Sequence, residues 1–190
     1  MQGGLLITFL EGWAALSPEF ITALNASVRR EHYQPRQVIH TAGRLEDRFW
    51  FLESGLARKY YFDPEGKEQT TRFYVSDDLI FSYKGYWKEE SEDYLEVLAA
   101  STLLSVTYSA LQELADTFEV TRALIRSAAK RQYQQDVFRN RLMLRTAEDR
   151  YLGLRLARPD VFRYFSVRLI ATYLNMTREN LSRLMARDHS

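Results

Sequence analysis

The chain has 190 residues, 46% hydrophobic and 14% aromatic, which is enough apolar material for one large packed domain or two small ones. It contains no cysteine, so disulfides, thiolate nucleophiles and Cys-ligated metal sites are excluded, and a reducing cytoplasm fits. The net charge is +1, but residues 139–190 hold 11 Arg against 5 Asp and Glu, a surplus of +6, and the remainder carries −5. This basic tail indicates a polyanionic partner, and a solvated arginine-rich surface is the alternative.

The N-terminus does not resemble an export signal. Residues 1–7 lack a basic flank, and Glu11 interrupts the apolar run that follows. No stretch approaches the length of a membrane span. We therefore expect a cytoplasmic protein without a membrane partner.

A short amphipathic helix and then a β-rich segment follow in the chain. Ser17 can cap the helix, Pro18 suits its first turn, and apolar residues recur at helical spacing to Val28. From Glu31 to about Tyr108 the sequence changes to β-branched and aromatic runs separated by turn residues. These runs are residues 38–39, 49–52, 56–62, 70–75, 94–98 and 103–108. Their spacing predicts a small all-β barrel or roll.

Three glycines mark predicted turns in this segment. The run from Asp63 to Lys67 lies between two aromatic runs and predicts a hairpin turn, because Pro64 fixes one φ angle and Gly66 tolerates a positive one. The other two predicted turns are at Gly43 and Gly55.

A long helix is predicted next, because glycine and proline are absent from Ser109 to about Glu148. Its apolar residues lie on or near one stripe: Leu111, Leu114, Phe118, Ile125, Ala128 and Leu142. The helix is expected to be broken at most once. A helix this long outruns a barrel of about 70 residues, so we favour a dimer seam over a helix packed only on its own barrel. A short helix then ends at Arg158, before Pro159.

The segment 165–185 predicts two helices around a tight turn, the pattern of a helix-turn-helix. Its apolar positions are Leu169, Ile170 and Leu174 in the first helix and Leu181 and Leu184 in the second. Ala171 is the small residue at the helix crossing, and Asn175 suits a left-handed turn. Thr177 stands where an N-cap belongs.

The second of these helices, about residues 178–187, is predicted to lie in the major groove. Arg178, Glu179, Asn180 and Arg183 carry the chemistry that reads base edges. Arg forks onto guanine, Glu accepts from cytosine and Asn pairs with adenine. Further predicted DNA-binding residues, on the phosphates or at the cap, are Arg168, Thr177, Ser182 and Arg187.

Three stretches of the sequence resemble the Crp/Fnr superfamily of transcription regulators. Residues 49–58 are similar to a strand and turn of its effector domain, and residues 63–67 to the hairpin that follows. Residues 170–183 are similar to its recognition motif. Arg150-Tyr151-Leu152, followed by Arg158-Pro159, resembles the linker helix of a branch common in Bacteroidetes.

The resemblance implies an α+β fold in three parts. An N-terminal β-roll (double-stranded β-helix) would form a cyclic nucleotide-binding-like effector domain at residues 1–115, with a long dimerisation helix at 116–147. A helical helix-turn-helix domain would occupy 148–190, with a short or absent wing because the sequence stops at Ser190. The implied partners are a second copy, double-stranded DNA with a two-fold symmetric operator, and RNA polymerase.

The sequence departs from this family at the nucleotide cassette. The family uses a Gly-Glu pair followed by Arg-Ser/Thr-Ala to cradle a cyclic phosphate, and the matching residues 77–94 lack the glycine and the arginine. Their carboxylates would repel a phosphodiester, so we expect that the domain does not bind cyclic AMP. The sequence identifies no other cofactor. The pocket could instead bind an unidentified aromatic or apolar effector, or its own side chains could fill it as core. The candidate pocket residues are Phe81, Ser82, Tyr83, Tyr86, Trp87 and Tyr94.

Two other classes of function are alternatives to DNA binding. A β-roll enzyme of the cupin kind needs several His ligands on neighbouring strands, but His32, His40 and His189 are scattered along the chain. Since the sequence has no Gly-rich phosphate loop or Ser/His/Asp arrangement either, we expect no enzyme. The second alternative is an effector-binding or protein-interaction β-roll module that does not bind DNA.

Overall fold

The computed structural model describes residues 3–188, so His189 lies outside the described residues. The chain divides into two compact units. The first unit comprises the chain up to Arg58 together with Tyr74–Gln132, and the second comprises Lys59–Phe73 and the chain from Tyr133 onward. Helices and strands that cross these limits contribute residues to both units.

Helices occupy both ends of the described chain, and the strands lie between them. The helices are α1 (Gly4–Glu11), α2 (Pro18–Ser27), α3 (Tyr83–Tyr86), α4 (Tyr108–Thr117), α5 (Glu119–Met143), α6 (Ala147–Ala157), α7 (Pro159–Tyr164), α8 (Val167–Tyr173) and α9 (Arg178–Asp188). The strands are β1 (Arg29–Tyr33), β2 (Gln37–His40), β3 (Arg44–Leu45), β4 (Arg48–Ser54), β5 (Leu56–Phe62), β6 (Glu68–Val75), β7 (Asp78–Ile80), β8 (Glu90–Ser91), β9 (Tyr94–Val97) and β10 (Ser101–Thr107).

The strands form two four-stranded sheets and a two-stranded one. The first sheet has the order β1-β10-β4-β7, the second β2-β9-β5-β6, and the short one pairs β3 with β8. In the first sheet the neighbours are antiparallel, with Trp50 opposite Ser105 of β10 and opposite Ile80 of β7. The predicted β-roll followed by helices is confirmed.

Strand β4 shows why this part of the sequence is continuously apolar. Successive side chains of a strand point to opposite faces of the sheet. Phe49 and Phe51 are buried in one cluster with residues of the flanking helices, and Trp50 and Leu52 are buried in a second cluster. Because both faces are covered, all four positions are apolar.

The predicted turns are confirmed. Gly43, Gly55 and Gly66 all have positive φ angles, of 75°, 116° and 76°. In the hairpin between β5 and β6, the Asp63 carboxylate accepts the backbone N–H groups of Glu65 and Lys67 at 3.1 and 2.8 Å. These bonds and the Gln69 amide hold the pKa of Asp63 below its ordinary value.

The first predicted helix is confirmed as α2 and is shorter than expected. Ser17 caps it by accepting the N–H of Phe20 at 3.2 Å. The helix ends at Ser27, and Arg29 and Arg30 belong to β1, where they pair with β10. Because that pairing joins segments more than 70 residues apart, helical spacing alone could not locate the end of α2.

The predicted long helix is confirmed as α4 and α5 with a break at Phe118, and it ends at Met143 rather than near Glu148. Its apolar stripe does not face outward. Leu111, Leu114 and Ala128 are buried in the core of the first unit, and Phe118 and Ile125 pack against that core. The prediction that these residues form a dimer seam is therefore wrong, since they contact their own unit. No helix within residues 3–188 is both long and apolar enough to cross a membrane.

Candidate nucleic-acid interface

Helices α8 and α9 form a helix-turn-helix in the second unit. Leu169, Ile170 and Ala171 of α8 are buried, as are Leu181 and Leu184 of α9. With two buried side chains at a spacing of three residues, α9 rests on the unit along one narrow stripe. The remaining surface of α9 is left for solvent or a ligand.

The turn between α8 and α9 has the predicted geometry. Asn175 lies in the left-handed region with a φ of 49°, and the N–H of Met176 donates to the carbonyl of Ala171 at 3.1 Å. Thr177 then caps α9, because its hydroxyl oxygen accepts the N–H of Asn180 at 3.2 Å. The predicted turn and cap are confirmed.

One face of α9 is a continuous polar row. Its exposed members follow one another at intervals of four residues, which places them on the same side of the helix. They are Arg178 and Ser182, and beside them Glu179, Arg183 and Arg187. This row lies away from the buried leucines. The predicted base-reading and phosphate-contacting side chains of α9 therefore share one accessible surface.

Asn180 differs from the other predicted base readers. It is half-buried, and its side-chain oxygen accepts a hydrogen bond from the Arg183 guanidinium at 2.8 Å. The role of Asn180 as a reader of adenine stays a prediction. The structure places Asn180 beside Arg183, one turn before it on the helix.

Arg168, the remaining predicted DNA-binding residue, is exposed on α8. Its helix is capped by Ser166, whose hydroxyl oxygen accepts the N–H of Leu169 at 3.4 Å. Thr177, at the start of α9, is also exposed. Exposed cations on both helices fit the surplus of arginine in this part of the sequence.

An ion pair stabilises the start of α7. The Arg158 guanidinium donates to the Asp160 carboxylate at 2.7 Å, and both side chains are 30% exposed. Burial raises the pKa of Asp160, but the hydrogen bonds and the positive charge of Arg158 outweigh burial and hold that pKa below its ordinary value. Asp160 also lies in the first turn of a helix, where a negative charge is favourable.

The hairpin between β5 and β6 packs against the helices of the second unit, which the sequence did not predict. The Thr70 and Thr172 hydroxyls are 2.7 Å apart, and the Phe73 ring packs on Phe165 and Tyr173 with centroid distances of 4.3 and 5.4 Å. Arg139 lies over the Tyr173 ring. Because Thr70 and Thr172 are 102 residues apart, no local signal could have predicted this packing.

An open groove of about 430 Å³ follows the C-terminal half of α5. Its lining combines apolar and arginine side chains: Tyr133, Gln134, Val137, Phe138, Arg141, Leu142 and Arg145. Tyr133 is 63% exposed, which is unusual for an aromatic side chain on a helix that has a core to pack on. This surface is the accessible apolar face of α5, and it shares Leu142 with the predicted stripe.

The residues predicted to line an effector pocket form a packed aromatic cluster in the first unit. The Phe81 ring contacts those of Tyr83, Tyr86 and Tyr108 with centroid distances of 5.6–5.9 Å. Ser82 caps α3 through the N–H of Gly85, and its own N–H donates to the Tyr108 oxygen at 2.7 Å. Burial raises the pKa of Tyr108 well above its ordinary value.

The outer members of this cluster are more open. Trp87 is 68% exposed and contacts Tyr86 edge to face, and Tyr94 is half-buried in β9. Phe81 also lines a small apolar cavity of about 30 Å³ between the helices and β4. The side chains therefore fill most of the space that the sequence left open for an effector.

The stretch that matches the nucleotide cassette takes part in two ion pairs. The Asp78 carboxylate, 8% exposed, accepts the N–H of Val75 and a hydrogen bond from Arg131 of α5, both at 3.0 Å. Lys84 pairs with Glu92 at 2.9 Å. A cyclic phosphate placed here would displace an existing ion pair and would meet a buried carboxylate.

Comparisons with known proteins agree with this architecture. Residues 30–118 match the model of the cyclic nucleotide-binding domain. Electron transport regulator A of Shewanella oneidensis is 25% identical over 171 residues, which cover 84% of this chain and 68% of that protein.

Solved structures share the fold at low sequence identity. FixK2 from Bradyrhizobium japonicum has a TM-score of 0.75 at 18% identity and covers 85% of this chain and 84% of its own. The c-di-GMP-responsive global regulator CLP of Xanthomonas campestris has a TM-score of 0.68 at 16% identity, with coverages of 91% and 92%. A transcriptional regulator of the Crp/Fnr family from Eubacterium rectale has a TM-score of 0.70 at 14% identity, with coverages of 90% and 83%.

The Bacteroidetes branch stays a prediction. Residues 30–118 form a domain of the cyclic nucleotide-binding type, and the described chain has the fold of Crp/Fnr transcription regulators.

Proposed function

We propose that this protein is a dimeric transcription regulator that binds DNA sequence-specifically through α9. The observation that carries the proposal is the exposed polar row of α9, which lies opposite its buried leucines and follows a left-handed turn and a threonine cap. This is the arrangement that a helix needs to enter a major groove with its N-terminal residues toward the bases.

The chemistry of the row fits base reading. The Arg183 guanidinium can fork onto guanine O6 and N7, and Glu179 can accept from the amino group of cytosine. Both side chains are exposed, and they are four residues apart on one face. Arg178 adds a second guanidinium at the start of the helix, and Arg168 and Arg187 are placed to contact phosphates.

The groove along α5 supports dimerisation. A second copy of the same helix would cover the apolar side chains of Tyr133, Val137 and Phe138 and exclude water from them. A two-fold pairing buries the same surface on both copies. It would also present two α9 helices to two half-sites about one helical turn of DNA apart.

We infer that the effector domain does not take cyclic AMP. The Asp78–Arg131 ion pair and the packed cluster around Phe81 support this inference. An unidentified apolar or aromatic effector remains the proposal for a ligand, and Trp87 is the candidate residue most exposed to solvent. RNA polymerase is proposed as the protein partner of the DNA-bound dimer.

The experiment is a selection of duplexes from a random-sequence library by the purified protein, followed by binding measurements at several salt concentrations. We expect the selected duplexes to contain two inverted half-sites about 10 base pairs apart. The logarithm of the binding constant should fall linearly with the logarithm of the salt concentration, by about 0.9 for each phosphate contacted.

A different outcome would favour the second class of function. If the protein retains no duplex above background at low salt, the β-roll acts as an effector-binding or protein-interaction module and the DNA-binding proposal is withdrawn.

A further inference from the structure

Two adjacent residues of α6, Arg150 and Tyr151, contact the two ends of the recognition segment. Arg150 reaches the turn before α9, and Tyr151 reaches Asp188 at the last position of α9. Both residues belong to the short motif that the sequence shares with a linker helix. The proposed function uses only the outer face of α9 and leaves this motif unexplained.

Arg150 joins the turn to the end of the central helix. Its guanidinium donates to the carbonyl of Arg145, just after α5, at 2.9 Å, and to the carbonyl of Asn175 at 3.3 Å. Asn175 is the left-handed residue of the helix-turn-helix. A planar guanidinium presents several N–H groups in fixed directions and can bridge two carbonyls, whereas an ammonium group is a compact point charge.

Tyr151 holds the far end of α9. Its ring is almost fully buried, 2% exposed, and packs edge to face on Phe162. Its hydroxyl donates to the Asp188 carboxylate at 2.9 Å and accepts from Arg155 at 2.8 Å, and Arg155 pairs with Asp188 directly.

The position of Asp188 needs this compensation. A carboxylate at the C-terminal end of a helix is unfavourable because the helix dipole is negative there. Arg155 supplies the opposite charge, and Tyr151 supplies a hydrogen-bond donor whose ring is fixed by packing. Tyr151 and Arg155 of α6 thus hold the Asp188 carboxylate, and through it they fix the end of α9.

We propose that Arg150 and Tyr151 are positioning residues that hold α9 at both ends in the orientation needed to read DNA. Two buried leucines fix the depth of α9 but leave rotation about the contact stripe weakly constrained. Contacts at the turn and at the last residue remove that freedom. Base readout requires the side chains to be placed within a fraction of an ångström, so a loosened helix loses base contacts before it loses phosphate contacts. This inference rests on the proposed function.

The test compares Tyr151→Phe, Asp188→Asn and Arg150→Lys with the parent protein. Each variant is measured against a duplex selected by the parent and against a duplex of scrambled sequence, over a range of salt concentrations. Tyr151→Phe removes only the hydroxyl, and Arg150→Lys keeps the charge but not the two-carbonyl bridge. The matched controls are Tyr164→Phe and Arg44→Lys, whose side chains are exposed.

We expect each test variant to bind the selected duplex about 3- to 10-fold more weakly, which is the effect of losing one ordinary hydrogen bond. Binding to the scrambled duplex and the slope of the salt dependence should stay at the parent values, because no phosphate contact is lost. Tyr151→Phe combined with Asp188→Asn should cost less than the sum of the two changes, since both act on the contact between Tyr151 and Asp188, and Asp188→Asn alone also loses the ion pair with Arg155.

Two results would overturn the inference while leaving the proposed function intact. The first is parent-like discrimination between the two duplexes in Tyr151→Phe and Arg150→Lys, which would mean that these residues only stabilise the fold. The second is a salt slope reduced by about 1 in a further variant, Arg150→Gln, which loses the charge; this would make Arg150 a phosphate contact. Absence of duplex binding by the parent would instead remove the proposed function itself.

Discussion

Arg183 is the residue on which the proposed base reading most depends. It is exposed on α9, and Asn180 already orients its guanidinium through a hydrogen bond of 2.8 Å. Orientation before binding reduces the entropy that the side chain loses when it meets a base. The arrangement therefore favours Arg183 over the more freely exposed Arg178 as the principal reader of guanine.

Replacing these arginines should weaken specific DNA binding. We predict that Arg183→Ala costs about 1–3 kcal/mol of discrimination at one base pair, and that Arg178→Ala has the same direction. Dimerisation should not change, because both residues lie on α9. Binding of parent and variants to a set of single-base-substituted duplexes measures the effect.

Arg187→Ala is the matched control for a phosphate contact on the same helix. It should weaken binding to all duplexes alike and reduce the salt slope by about 1. If Arg178→Ala and Arg183→Ala both bind every duplex as the parent does, the assignment of base-reading residues is wrong.

Asp160 predicts a pH dependence of stability. Its pKa in the folded protein lies below the ordinary value of 3.8, so its contribution to stability is complete above that value and is lost as the pH falls through the lower folded pKa. We predict that Asp160→Asn lowers the free energy of unfolding at neutral pH by about 0.2–1 kcal/mol, the range of a solvent-screened pair. Thermal unfolding followed by circular dichroism provides the measurement.

The difference between parent and Asp160→Asn should shrink as the pH falls below the ordinary value of 3.8, because the stabilisation is lost as the pH approaches the lower pKa of the folded protein. Arg158→Gln should reproduce the loss at neutral pH. A difference that grows in acid would contradict the assigned direction of the pKa shift.

At the scale of elements, the turn between α8 and α9 sets where the recognition helix begins. Asn175 is held at a positive φ angle, which costs about 1–2 kcal/mol for most side chains. We predict that Asn175→Ala destabilises the protein by about 1 kcal/mol and that Asn175→Gly does not, because glycine has no Cβ. Chemical unfolding of both variants, followed by tyrosine and tryptophan fluorescence, tests this difference.

The pair of variants is informative because both lack the Asn side chain. If Asn175→Gly is as unstable as Asn175→Ala, the amide side chain and not the backbone conformation stabilises the turn.

Elements with a local chemical signal were predictable from the sequence. The hairpin at Asp63–Lys67, the cap at Thr177 and the turn at Asn175 depend on residues within a few positions of one another. Strand β1 was missed because its residues are mostly polar, and it is defined by pairing with β10 far along the chain. Helix α1 was missed because its apolar run was considered only as an export signal.

The candidate site was predictable to the same extent. Exposure of Arg178, Glu179 and Arg183 follows from the helical period of their leucine neighbours. The bond between Asn180 and Arg183 depends on rotamers, and the contact of Tyr151 with Asp188 joins residues 37 positions apart. Neither has a pattern that a sequence can display.

At the scale of the whole molecule, the proposed function needs two copies of the chain. The groove of α5 provides the surface, with Val137 and Phe138 half-buried and Tyr133 exposed. Most of the apolar stripe predicted from the sequence, from Leu111 to Ala128, packs within the first unit. A hydrophobic period of 3.6 residues cannot distinguish a helix's own core from a partner.

We predict that Val137→Glu prevents dimerisation, because pairing would then bury two like charges opposite each other. Loss of the dimer should weaken binding to a duplex with two half-sites by about 100-fold or more. In a dimer, the second recognition helix binds its half-site within a complex already formed by the first, and a monomer lacks this advantage. Sedimentation velocity gives the mass. Ser109→Glu, exposed in α4, is the control for an added charge. A Val137→Glu protein that stays dimeric would place the interface elsewhere.

The most direct test of the account is the stoichiometry of the complex with a selected duplex, measured by sedimentation at low salt with labelled DNA. The account predicts two protein copies on each duplex, and release of both together as salt is raised. A protein that sediments as a monomer and leaves the duplex free at low salt would contradict it.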